Sequence, residues 1–149
     1  MSRWKVRFPV FSGLVVGFAL GLGAMALARQ TETPSVKVTQ LSQRDIVETL
    51  DGKSARATVS MVAIAPGQKD SAHRHAGPVF GYVLNGEYAH ALDDETIKTY
   101  KAGDTFYEPS GALHRVAQNP SSKTETRLLA VILHSRETTR ATIPAKNSQ

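Results

Sequence analysis

Short runs of apolar and β-branched residues recur along most of the chain, each four to eight residues long. They are Thr58 to Ala65, Pro78 to Leu84, Glu87 to Leu92, Thr96 to Tyr100, Thr105 to Glu108 and Arg127 to His134. Pro66-Gly67, Asn85-Gly86, Ala102-Gly103 and Pro109-Ser110-Gly111 interrupt them. Runs of strand length, rich in Val, Ile, Tyr, Phe and Thr and separated by turn residues, predict an all-β sandwich or barrel. Asn85-Gly86 between two such runs predicts a tight hairpin. Only Gln40 to Leu50 offers a short helix, and it lacks a sustained apolar face. Ser135 to Gln149 is polar, holds Pro144 and reads as a flexible tail over 135–149.

The first residues follow another pattern. From Phe8 to Ala28 there are 21 residues without an ionisable side chain, preceded by Arg3, Lys5 and Arg7. As a helix this segment would run about 30 Å, the thickness of a bilayer's hydrocarbon core, with the basic flank left in the cytoplasm. Residues 1–28 are therefore expected to be a membrane anchor or a signal peptide. Ala26-Leu27-Ala28 has the form of a signal-peptidase site, whereas the length of the apolar run favours retention. Either way the body lies outside the cytoplasm, anchored by one N-terminal hydrophobic helix or released as a secreted or periplasmic protein. Residues 29–35 read as a linker and 36–134 as the folded body.

Composition narrows the chemistry. The 149 residues suffice for one modest domain. There is no cysteine, which excludes disulfides, thiolate zinc sites, iron–sulfur clusters and cysteine nucleophiles. The net charge is +5, but four of the 18 basic residues lie at or before Arg29 and all 13 acidic residues follow it. The near-neutral body offers no field for a phosphate backbone, so nucleic acid is not an expected partner.

Five histidines remain as candidate chemistry: His73, His75, His90, His114 and His134. In a strand His73 and His75 point to one face while Arg74 points away, which makes a chelating pair. His90 and His134 belong to no motif and read as core residues.

The surroundings of the pair resemble the cupin superfamily. The first motif of that family is similar to G-x5-H-x-H-x3-E-x6-G, matched by Gly67, His73, His75 and Gly86. The other is similar to G-x5-P-x-G-x2-H-x3-N, matched by Gly103, Pro109, Gly111 and His114. Asn119 stands one residue beyond the motif's asparagine, and Val79 stands where the family usually carries its glutamate ligand. The resemblance covers residues 58 to 134. It implies a double-stranded β-helix, or jelly-roll barrel, holding one divalent metal on His73, His75 and His114. Cupin barrels are often homodimers.

Imidazole donors suit Fe, Mn, Ni, Cu or Zn. Three neutral imidazoles crowded into an apolar barrel would each risk an unsatisfied nitrogen, and a cation removes that cost. Glu108, just before Pro109, is a candidate fourth ligand or acid/base group, with a solvent-facing strand end as the alternative. Val79, Phe80, Tyr82, Phe106 and Tyr107 are candidate pocket residues, shared between pocket and core. Without the usual glutamate the metal keeps its full charge and is a stronger Lewis acid. The expectation is an extracytoplasmic metal-binding cupin acting on a small molecule, as a metalloenzyme of dioxygenase or isomerase type. A non-catalytic binding or sensing module and a structural barrel with a vestigial site are the alternatives.

Overall fold

The computed structural model describes residues 35–145. The hydrophobic helix expected over Phe8 to Ala28, nearly all of the linker 29–35 and residues 146–149 lie outside them. Ten strands follow one another: β1 (Val36–Leu50), β2 (Lys53–Ile64), β3 (His73–His75), β4 (Val79–Asn85), β5 (Glu87–Leu92), β6 (Lys98–Lys101), β7 (Thr105–Glu108), β8 (Leu113–Gln118), β9 (Thr126–Ser135) and β10 (Thr142–Pro144). They form two five-stranded sheets, β1-β2-β9-β4-β7 and β10-β3-β8-β5-β6, in which every pairing is antiparallel. This is an all-β double-stranded β-helix, and no helix occurs among the described residues.

Alternation sets the faces. In β4, Val79, Gly81 and Val83 are buried while Phe80 and Tyr82 are exposed; in β7, Phe106 and Glu108 are buried and Tyr107 is exposed. The core joins Ile64, Val83, Tyr88, Phe106, Ala117 and Leu128, drawn from both sheets. Apolar side chains spaced two apart along each strand supply its packing.

Three sequence expectations change. Gln40 to Leu50 is not a helix but part of β1, an edge strand bulged at Gln40/Ser42 and Asp45/Thr49 and paired along its length with β2. Its missing apolar stripe suits a strand whose residues are mostly exposed.

Asn85-Gly86 does not close a hairpin: β4 and β5 belong to opposite sheets. A type I′ turn needs positive φ at both central residues, and here only Gly86 (φ 76°) has it. The dipeptide instead turns a corner between sheets, held by a hydrogen bond from Asn85 Nδ2 to the Glu125 carbonyl, 2.7 Å. The I′ geometry occurs at Asp51 (φ 51°) and Gly52 (φ 72°), between β1 and β2.

Finally, the tail expected to be flexible contributes Thr142–Pro144, which pairs with β3. β3 would otherwise expose its backbone on one side, and this segment satisfies it.

Candidate metal centre

The histidine pair lies on β3, and His73 is the direct register partner of His114 on β8. The ring centroids of His73 and His75 are 4.8 Å apart, those of His73 and His114 4.9 Å, and those of His75 and His114 6.3 Å. The loop from β7 to β8 is fastened to β3: Gly111 N–H donates to the His75 carbonyl at 2.9 Å, and Arg74 Nη1 donates to the Gly111 carbonyl at 2.6 Å. The motif glycines Gly67, Gly86, Gly103 and Gly111 all have positive φ, the backbone these turns require.

Each of the three rings has one nitrogen anchored. His73 Nδ1–H donates to the Ser71 carbonyl at 2.8 Å, so its Nε2 lone pair faces inward. His75 Nδ1 meets Thr142 Oγ1 at 3.2 Å. His114 Nε2 meets the Tyr88 hydroxyl at 3.1 Å, leaving Nδ1 toward the other donors. Burial holds the Tyr88 phenol well above its ordinary pKa, so the hydroxyl stays neutral.

Glu108 reaches the same point from the opposite sheet. Its Oε2 is 3.5 Å from His75 Nε2 and its Oε1 is 3.4 Å from His114 Nδ1. Burial favours the protonated acid, but the neighbouring imidazoles of His90, His114 and His75 outweigh it, and the carboxyl titrates below its ordinary value. Burial pushes His75 below its ordinary value and His114 down to about 4, in both cases against the pull of Glu108. The imidazoles of His75 and His114 are thus neutral at physiological pH, as a metal ligand must be.

A cavity of about 110 Å³ opens over these groups, walled by Ile64, Val79, Phe106, Leu128 and Ile132. Among the described residues Asp70 and Glu108 are the acidic ones that line it, and no Lys or Arg does. Of the aromatic positions expected at a pocket, Phe106 lines the cavity, as does Val79. Phe80, Tyr82 and Tyr107 do not: they are 51%, 41% and 52% exposed on the outer face. Phe80 and Tyr82 do share a face, but Val79 and Val83, at the alternate positions, hold the inner one.

His90, read from the sequence as a core residue, belongs here too. Its Nε2 lies 3.4 Å from Glu108 Oε1 and its ring centroid 4.7 Å from that of His114. The available signal was its place two residues beyond Tyr88, on the same strand face. His134 is a core residue as expected: Thr58 Oγ1–H donates to its Nε2 at 3.0 Å, and its Nδ1–H donates to the Ser135 carbonyl at 2.9 Å.

The donor set fits a divalent transition cation. His73 Nε2 and His75 Nε2 face each other at 3.2 Å, and the remaining edges to Glu108 measure 3.4 to 3.5 Å. Ligands sharing one cation at about 2.1 Å sit roughly 3 to 3.5 Å apart. Among the described residues His114 Nδ1 and His90 Nε2 are buried without a hydrogen-bond partner, and lone pairs facing each other as closely as those of His73 and His75 repel one another unless a cation or proton lies between them. His73, His75 and His114 form one group of donors able to share an ion, and His90, Glu108 and His114 form another.

Residues 60–132 match the Cupin domain family. No curated protein matches the chain. Among solved structures, a protein of Klebsiella pneumoniae with a double-stranded β-helix domain is 17% identical, with a TM-score of 0.59 over 76% of this chain and 87% of that one. An oxalate oxidase in complex with the substrate analogue glycolate is 25% identical, with a TM-score of 0.53 over 70% of this chain and 53% of that one. A DMSP lyase from Ruegeria pomeroyi is 16% identical, with a TM-score of 0.53 over 62% of this chain and 45% of that one. The chain thus spans about half the length of the two enzymes.

Proposed function

We propose that this chain, which belongs to the cupin superfamily, is an extracytoplasmic metal-dependent enzyme that acts on a small molecule, of dioxygenase or isomerase type. The observation that carries the reading is the gathering of His73, His75 and His114 into one group of donors, with the buried Glu108 within 3.5 Å of both His75 and His114, in the lining of a largely apolar cavity. The three imidazoles would hold a divalent transition metal (Fe, Mn, Ni, Cu or Zn), which supplies Lewis acidity toward a bound oxygen atom.

The residues of the chain supply the rest. Apolar walls at Ile64, Val79, Phe106, Leu128 and Ile132 exclude water from the reacting group. Ser71, Thr142 and Tyr88 fix the orientation of the three rings. Among solved relatives of this fold, an oxalate oxidase and a DMSP lyase act on small molecules, which supports the substrate scale. The extracytoplasmic location rests on the apolar run from Phe8 to Ala28 behind Arg3, Lys5 and Arg7.

The same apolar cavity would serve a binding or sensing module, and one experiment separates the two. Metal is measured by elemental analysis in the purified full chain and in His73→Ala/His75→Ala, and oxygen uptake and isomerisation are followed against enolic and phenolic compounds. Stoichiometric metal, its loss in the double variant, and turnover are the expected results. Stoichiometric metal without turnover favours the binding module. A wild-type protein that takes up no metal overturns the reading.

A further inference from the structure

Val79 and Glu108 are register partners on the antiparallel strands β4 and β7. Residues opposed in this way send their side chains to the same face. Both line the cavity, and both are nearly fully buried at 2% and 3% exposure. Where the first motif calls for a carboxylate the chain has an isopropyl group, and a carboxylate stands directly beside it on the next strand.

Among the described residues no Lys or Arg lines the cavity to answer that carboxylate. Its neighbours are imidazoles: Oε2 faces His75, and Oε1 faces both His114 and His90. A carboxylate this deep is accommodated by pairing or by binding a metal. His90 enters from β5, two residues from Tyr88, and its Nε2 is buried with no better partner than Glu108 Oε1 at 3.4 Å.

We propose that the carboxylate ligand of this barrel has crossed the β4–β7 ladder, from position 79 to Glu108, and that His90 is its positioning residue. In this arrangement His90 Nε2–H, now 3.4 Å from Oε1, would close on that oxygen, which leaves Oε2 turned toward His75. Val79 then serves as the packing surface against which the transposed side chain lies. The proposal rests on the metal-binding reading above and goes further by assigning a fourth ligand and its support.

Co(II) is a suitable probe, because its visible bands report the number and kind of its ligands. The apo full chain is titrated with Co(II) near neutral pH, and circular dichroism and thermal melting verify the fold of each variant. Glu108→Gln, which keeps shape and volume, is expected to weaken Co(II) binding at least about tenfold and to shift the bands. Val79→Glu/Glu108→Val, which returns the carboxylate to the other strand, is expected to recover most of the lost affinity. His90→Ala is expected to alter the bands and weaken binding about tenfold, and His90→Gln, which retains an N–H donor, to restore both. If the wild type binds no Co(II), the metal reading falls and the transposition with it. If the wild type binds and Glu108→Gln binds equally with unchanged bands, the metal reading stands and the transposition is wrong. Bands unmoved by His90→Ala overturn the role of His90.

Discussion

His73 and His114 stand directly opposite each other on β3 and β8, with ring centroids 4.9 Å apart. That pairing explains how two distant motifs build one site: the first supplies one strand of a ladder and the other supplies its partner. A slip of one residue in the register would turn one ring to the other face of the sheet. The fastening of the β7–β8 loop to β3 through Gly111 opposes such a slip.

The hydroxyl of Tyr88 fixes the ring of His114, and its removal tests whether that ring is a ligand. Tyr88→Phe keeps the buried ring and its packing on Phe106, 5.2 Å away, but leaves His114 Nε2 without a partner. A lost orienting contact of this kind lowers metal affinity by about 10- to 100-fold, and a stranded buried nitrogen costs roughly 1 to 3 kcal/mol of stability. Metal titration together with urea unfolding measures the two effects separately. Unchanged affinity would remove His114 from the ligand set.

Acid should destabilise the metal-free protein in a defined window. His114 falls from an ordinary 6.5 to about 4 in the fold, and His75 is lowered in the same direction. The unfolded chain therefore takes up protons first as the pH drops. Stability from these rings is complete above 6.5 and is lost progressively down toward 4, with a loss of roughly 3 kcal/mol for His114 alone. Glu108, also lowered, gives up its contribution only below its ordinary carboxyl value of 4.5. Urea midpoints of chelator-treated protein between about pH 7 and about pH 4 record the loss. A flat profile would mean that the rings are not held neutral by burial.

Gly77 lies between the histidine pair and β4, where a Cβ would come within 1.7 Å of the Leu133 carbonyl oxygen. Backbone cannot yield as a flexible side chain can, so Gly77→Ala is expected to cost about 3 kcal/mol or more. At Gly67 nothing lies within 4 Å and the cost is conformational, at φ +69°; Gly67→Ala is expected to lose about 1 kcal/mol. Chemical denaturation of the two variants should rank them in that order. Equal losses would mean that β9 moves aside at Leu133.

The motif spacing made much of the site legible. Runs with sharp ends set by turn residues, Glu87 to Leu92 and Thr105 to Glu108, are strands at those same limits. β1 was hidden because a strand exposed along most of its length has no apolar face to read. The Asn85-Gly86 corner was misread because a turn dipeptide specifies a reversal of the chain, whereas tertiary contacts at Glu125 decide which sheet the next strand joins. The partners of Glu108 were out of reach because strand parity could not be carried across the bends at Pro109 and Gly111, whereas His90 was passed over because it belongs to no motif, although its place two residues beyond Tyr88 put it on the same strand face. Asn119, one place beyond the motif position, is fully buried. It donates from Nδ2 to the carbonyls of Ile64 and Thr124 and accepts from Ser121 N–H, a staple between the end of β8 and β2.

Strand β3 is only three residues long, and its outer neighbour is β10. Thr142 touches the ring of His75, and backbone hydrogen bonds from Ala76 to Ala141 and from Ala145 to Ala72 close both ends of the pairing. A single cut in the exposed link near Arg140 would free this flap, unseat half of the chelating pair and spill whatever the barrel holds, with every imidazole still in the polypeptide.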